Sequence, residues 1–280
     1  MTVLAQITDL HLRPRGLTCY RVSDTNMLAE RAIRALLALN PRPDAVVVTG
    51  DLTDRDDPRE YALARQLLGR LPMPVFVIPG NHDSSSGMRA ALSDYPGIRD
   101  CGDAEKIRYA ADIGPVRLIA LDSHVPSKPH GLIGSAQLAW LDERLAESDR
   151  PTLIAVHHPP AVTGIQHMDS IGLTDSEALA AVISKHPHVA RLMCGHVHRP
   201  VVTAFADTIM TLAPSTAHQV VLDTTDNTHS MFNFEPPAFF LHHMTRAGGL
   251  VTHTAYVEPF PGPFPFFADE GVIWPGDRAE

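Results

Sequence analysis

The chain has 280 residues, of which 44% are hydrophobic and 20% charged, and carries a formal net charge of −9 at pH 7. That length and balance fit a globular chain with a substantial core, as one large domain or one domain with a smaller appendage, and exclude a fibrous or low-complexity protein. An acidic chain with no basic stripe argues against duplex nucleic acid as the partner, because phosphate neutralisation dominates such binding; a small phosphorylated substrate can be met locally by metal.

The N-terminus, "MTVLAQITDLH", enters an apolar run at once, without the basic and long apolar regions of a signal peptide. A cytoplasmic protein is expected, with no membrane span, since no apolar run approaches the roughly 20 residues one needs. Short β-branched runs at 3–8, 45–50, 74–80, 116–122, 152–158 and 190–196 are nearly continuous rather than alternating, as in strands buried on both faces. Between them lie helical patterns. Residues 24–40 place Met27, Leu28, Ala32, Leu36 and Leu39 close to helical spacing behind Asp24 as a cap. Residues 57–71 open with Asp-Pro, which suits a first helical turn, and 135–148 and 176–186 repeat the scheme. Strands alternating with helices predict an α/β fold, with helices packed on a sheet.

Residues 201–222 read as short strands, and beyond Asp223 the Pro-, Phe- and His-rich chain is predicted to be irregular. This C-terminal extension, 223–280, is expected to cap the site or to pair with another subunit. Exposed Phe runs are a liability in a monomer, so a homo-oligomer, dimer or higher, is expected. The three cysteines, Cys19, Cys101 and Cys194, are widely spaced with no CxxC, which predicts reduced thiols rather than a disulfide framework or a thiolate metal site.

The chemistry lies at the strand ends. The chain carries 16 histidines, and histidine is the commonest metal ligand. After the first run come Asp9 and His11; after the second, Asp51; after the third, Asn81 and His82. The fifth ends in His157 and His158, the sixth in His196 and His198. In a sheet covered by helices, ligands bind outside the carboxyl ends of the strands, so these groups converge on one crevice. Unpaired charges there are costly unless cations offset them. Asp9 and His11, and likewise His196 and His198, lie two apart and point to the same side of an extended segment. Three carboxylate or amide oxygens and four imidazoles exceed what one tetrahedral ion needs, and suit two divalent ions sharing a bridging carboxylate. The thiolate-free set accommodates Fe, Mn, Zn or Co. No P-loop, GxSxG or HExxH motif occurs.

The blocks "DLH", "GDLTD", "GNHD", "HH" and "GHVH", in that order across residues 9–198, resemble the calcineurin-like metallophosphoesterase superfamily. "DLHLRPRG…Y", "HHPP" and "P-S-T-A-H-Q-V" resemble its bacterial glycerophosphodiesterase and class III cyclic-nucleotide phosphodiesterase branch. The resemblance implies a four-layer α/β/β/α sandwich, with 1–222 as the catalytic domain and 223–280 as a small cap or dimerisation extension. It implies one ion held by Asp9, His11, Asp51 and His198, and a second by Asp51, Asn81, His157 and His196, with Asp51 bridging. The implied reaction is hydrolysis of a small phosphodiester, a glycerophosphodiester or a 3′,5′-cyclic nucleotide, by a metal-activated hydroxide. Phosphomonoesterase and nuclease activities belong to the same superfamily, and a metal-stabilised scaffold is the non-enzymatic alternative.

Within that frame His82 is read as free, reaching the substrate phosphate beside Asn81 and protonating the leaving oxygen. His218 is placed near substrate and Tyr20 on the pocket wall. Asp83 is expected to cap a helix, His158 to support its loop beside Pro159 and Pro160, and His242 and His243 to lie on the cap surface.

Overall fold

A computed structural model describes residues 2–103, 105–225 and 229–264. In chain order the elements are β1 (Thr2–Ile7), α1 (Thr25–Ala38), β2 (Ala45–Val48), α2 (Pro58–Leu68), β3 (Val75–Val77) and α3 (Ser85–Leu92). Then come β4 (Tyr109–Ile113), β5 (Val116–Ala120), α4 (Ser135–Ala146), β6 (Thr152–Ala155), the single turn α5 (Gln166–Asp169), α6 (Ser176–Ile183) and β7 (Val189–Cys194). The last elements among the described residues are β8 (Val201–Phe205), β9 (Thr208–Leu212), β10 (Gln219–Val220), β11 (Phe232–Asn233), β12 (Ala238–Met244) and β13 (Leu250–Tyr256).

The helices start where their caps dictate. Asp24 accepts the Met27 amide at 3.0 Å ahead of α1, worth about 1 kcal/mol for such a cap. Asp57 and Glu60 form a reciprocal capping box around Pro58 at the start of α2. Helix α1 buries Leu28, Ala29, Ala32, Ile33 and Leu36 and leaves Met27 at its edge, 42% exposed.

Two sheets form. The first has the order β13-β12-β1-β2-β3, with β1, β2 and β3 parallel and β12 and β13 antiparallel. The second has the order β4-β5-β6-β7-β9-β8, with a parallel centre from β5 to β9 and antiparallel edges. Side chains alternate along its strands. Leu118, Ala120, Leu153, Ala155 and Met193 join one apolar cluster with the first sheet and α1, α2 and α3. Their neighbours Ile119, Ile154, Leu192 and Cys194 join another with α4 and α6. One face of the second sheet therefore packs on the first sheet and the other on helices, giving four layers, α/β/β/α.

The expected irregularity beyond Asp223 is corrected. β12 and β13 are seven-residue strands, and β12 pairs with β1 from Thr2 to Gln6. Pro236 and Pro237 fall just before β12, where they interrupt no ladder. Phe239 and Phe240 are buried in the sheet, while Phe234, Phe260 and Phe264 are exposed. His242, expected on a surface, is fully buried on β12. The end of the Pro/Phe-rich tail, 265–280, lies outside the described residues. The three cysteines are free, and among the described residues no helix is long and apolar enough to cross a membrane.

Candidate metal centre

β1, β2, β3, β6 and β7 all end at one edge of the sandwich, and the loops that follow carry the predicted residues. These loops are not extended, as the two-apart spacing suggested. Asp9, His11, Asp51, His196 and His198 all have positive φ, between 45° and 70°. Such angles are uncommon outside glycine and gather at functional sites, where tight packing holds them. Two glycines make the close approach possible: a Cβ on Gly50, itself at φ +102°, would lie 2.3 Å from His157 Nδ1, and one on Gly80 would lie 2.1 Å from Asp51 Oδ1.

Asp51 is central. Its Oδ2 lies 3.6 Å from His11 Nε2 on one side and 3.5 Å from His157 Nε2 on the other. On the first side, His198 Nε2 is 3.0 Å from His11 Nε2 and 3.3 Å from Asp9 Oδ1. Ligand atoms of Asp9, His11, Asp51 and His198 lie within 4.8 Å of one another, and all four residues are buried. On the second side, Asn81 Oδ1 is 3.2 Å from His157 Nε2, and the His196 ring stands 5.1 Å from that of His157.

The surroundings aim these groups. His157 Nδ1 donates to the Thr49 carbonyl at 2.7 Å and His198 Nδ1 to the His218 carbonyl at 2.9 Å, which leaves both Nε2 atoms facing the cluster. Burial pushes the His157 ring down, but the Asp51 carboxylate outweighs it and lifts the ring to about 9. Burial pushes the Asp9 carboxyl up, and His198 outweighs it, holding the group at about 2. His196 is lowered to about 3 by burial and by its neighbour His157. Its Nε2 is buried with no hydrogen-bond partner among the described residues.

This donor set fits divalent cations. An orphaned buried imidazole and two buried carboxylates are each unfavourable without a shared positive charge, and the His11 and His198 Nε2 atoms meet at 3.0 Å, close enough to face one cation. The His/Asp cluster is compatible with a binuclear centre.

The substrate-side predictions fall around the same space. His82 donates from its backbone to Asp51 Oδ1 at 2.9 Å and from Nδ1 to the Asp54 carbonyl at 2.8 Å. Burial lowers its ring, but Asp51, Asp54 and Asp83 together outweigh it and leave His82 raised. His218 is buried beside His11 and His198, at ring distances of 5.5 and 5.0 Å. Tyr20, at positive φ, is 54% exposed at the rim, 5.3 Å from His218. A cavity of about 230 Å³ is lined by these three, by five of the seven candidate ligands, and by an apolar wall that includes Met168, Ile171 and Phe232.

Asp83 is corrected: Ser84 caps α3, and Asp83 is buried, accepting the Gly80, Leu52 and Thr53 amides and the Thr53 hydroxyl. It ties the Asp51 loop to the Asn81 loop. His158 is held at both nitrogens, by Ser123 Oγ at 2.8 Å and the Pro129 carbonyl at 3.1 Å, in the supporting place expected of it. Sequence reasoning missed Asp54, which lies 3.6 Å from His11 Nδ1 and accepts from Arg13 and Cys19. Its place in "GDLTD" was the available signal. It also missed Phe232, whose position depends on the β10–β11 pairing and leaves no motif.

A family model for calcineurin-like phosphoesterases matches residues 2–200. A probable glycerophosphodiester phosphodiesterase from Arcobacter nitrofigilis is 35% identical over 97% of this chain and 99% of its own length. The 3′,5′-cyclic adenosine monophosphate phosphodiesterase of Escherichia coli is 30% identical over 77% of this chain and 76% of its own. A dimetal phosphatase from Danio rerio shares the fold with a TM-score of 0.64, at 16% identity, over 90% of this chain and 98% of that one. On these matches the chain belongs to the calcineurin-like phosphoesterase family.

Proposed function

We propose that the chain hydrolyses small phosphodiesters, glycerophosphodiesters or 3′,5′-cyclic nucleotides, at a centre of two divalent ions drawn from Fe, Mn, Zn and Co. Asp9, His11, Asp51 and His198 would hold one ion and Asp51, Asn81, His157 and His196 the other. The observation that carries this reading is Asp51, whose one oxygen stands within 3.6 Å of an imidazole of each group. Bound divalent cations supply charge neutralisation of phosphate oxygens and a lowered pKa for water.

The chain's own residues do the rest. His82, lifted by Asp51, Asp54 and Asp83 and tethered at Nδ1, keeps Nε2 for a proton to the leaving oxygen. Asn81 and His218 face the cavity that takes the phosphate, and Tyr20 closes its rim. The apolar wall with Phe232 gives the organic group of an ester a dry surface to lie on. The names of the relatives support diesters over monoesters. A cytoplasmic homo-oligomer, with the C-terminal segment at subunit contacts, completes the reading.

The test is turnover of bis(p-nitrophenyl) phosphate by wild type, Asp51→Ala and Asn81→Ala. Wild-type-like turnover in either variant overturns the ligand set. Comparing kcat/KM for matched mono- and diesters decides the substrate class, and higher values for monoesters would reverse it.

A further inference from the structure

Beneath the ligand loops lies a buried polar chain for which the proposed reaction has no direct use. Gln6, on β1, is completely buried, as are Thr49 and His242. Gln6 Nε2 donates to Thr49 Oγ1 at 2.9 Å and to the Cys194 carbonyl at 2.9 Å. Its Oε1 accepts from His242 Nε2 at 2.9 Å, and His242 Nδ1 accepts from Thr252 Oγ1 at 2.9 Å. The direction is set throughout. The Cys194 carbonyl can only accept, so the Gln6 NH₂ faces it; Gln6 Oε1 can only accept, so His242 carries its proton on Nε2. Both N–H donors of the Gln6 amide are used, and its oxygen accepts from His242. A fully satisfied buried network of this kind rigidifies what it joins, whereas a half-satisfied one is costly.

What it joins is specific. Thr49 follows β2 and precedes Gly50 and Asp51; its carbonyl also accepts from His157 Nδ1. Cys194 ends β7 in the other sheet and precedes Gly195 and His196. The Gln6 amide therefore spans the two sheets one residue behind the loops that bring Asp51 and His196 together. His242 comes from β12 and reaches the same amide from the C-terminal part of the chain.

We propose that Gln6 and His242 are positioning residues for the metal centre: His242 locks the Gln6 amide, and Gln6 sets the spacing between the Thr49–Asp51 and Cys194–His196 segments. The inference rests on the two-ion reading above. It assigns the C-terminal strand a part in building the site from below, distinct from any role at subunit contacts.

The test titrates metal-free full-length protein with MnCl₂, reading free Mn(II) by electron paramagnetic resonance, alongside melting temperature and steady-state kinetics. Gln6→Glu keeps the shape but sets an oxygen against the Cys194 carbonyl; His242→Leu removes the lock; His242→Gln restores a donor to Gln6 Oε1. Gln6→Glu and His242→Leu should weaken Mn binding by about 10–100-fold, as loss of outer-shell partners does, and His242→Gln should recover most of it. At saturating Mn, KM should stay within about twofold while kcat falls. If Gln6→Glu does not fold, the two His242 variants carry the test alone. Mn affinity within about twofold of wild type in His242→Leu, with only the melting temperature lowered, would reduce the network to packing and overturn the proposal. Failure of wild type itself to bind Mn, Fe, Zn or Co would instead remove the two-ion reading on which it rests.

Discussion

The two sheets supply different chemistry to one edge. The loops after β1, β2 and β3 bring every oxygen donor, Asp9, Asp51 and Asn81, together with His11 and His82. The loops after β6 and β7 bring imidazoles alone, His157, His158, His196 and His198. The negative charge thus sits in the first half and a wall of aimed nitrogens in the second. Neither half holds a site by itself. The first would leave buried carboxylates unpaired, and the second would gather buried imidazoles with no carboxylate to face. Their assembly depends on the packing of one sheet on the other, which places a shared oxygen of Asp51 between His11 and His157.

The largest effect should come from breaking that shared point. Asp51→Ala removes the residue common to both halves, and kcat/KM for bis(p-nitrophenyl) phosphate is expected to fall by about 10³-fold or more, the loss of several kcal/mol of charge stabilisation. Metal analysis of the purified variant should show fewer than two ions per chain; full occupancy with full turnover would separate Asp51 from the centre. Next is His82→Ala, which spares both halves and removes the proposed proton donor. A loss of about 10²–10³-fold in kcat is expected with an alkyl leaving group and a much smaller one with p-nitrophenolate, which needs no proton. Equal losses on both substrates would rule out the acid role.

Asp83→Ala tests the stitch within the first half. It strands the Gly80, Leu52 and Thr53 amides, and a destabilisation of about 1–3 kcal/mol is expected, measured by urea denaturation of the metal-free protein. The smallest effect concerns pH. In the metal-free protein His157 is raised to about 9 by Asp51, so its ring is protonated at neutral pH, and an incoming cation must displace that proton. Mn affinity should therefore fall as pH drops below about 9, by at most about tenfold per unit from this group. The same shift makes the His157–Asp51 pair stabilising to the metal-free fold below the ordinary 6.5 and lost as pH rises through about 9. An apo melting temperature that climbs between pH 7 and 9.5 would contradict that pairing.

Much of the site was legible because its residues sit immediately after short apolar runs, and a strand end is a local signal. The cap Asp24 and the Asp-Pro start of α2 were legible for the same reason: a helix start and its helix are neighbours along the chain. Asp83 was misread because a polar residue just ahead of a helix has the same local pattern whether it caps that helix or reaches back to Leu52 and Thr53. The C-terminal strands were misread because their prolines and phenylalanines suggest irregular chain until β1 is available as a partner.

By itself, then, the order of residues determined six central strands and four of the helices, where five of those strands stop, and that oxygen and imidazole donors follow those stops; all of this depends on contacts a few positions apart. Only the tertiary structure decided that Asp51 would stand between His11 and His157, that His242 would lie under the site rather than over it, and that Phe232 would face the cavity. Those outcomes depend on residues tens to hundreds of positions apart, brought together by burial of the apolar faces between the sheets.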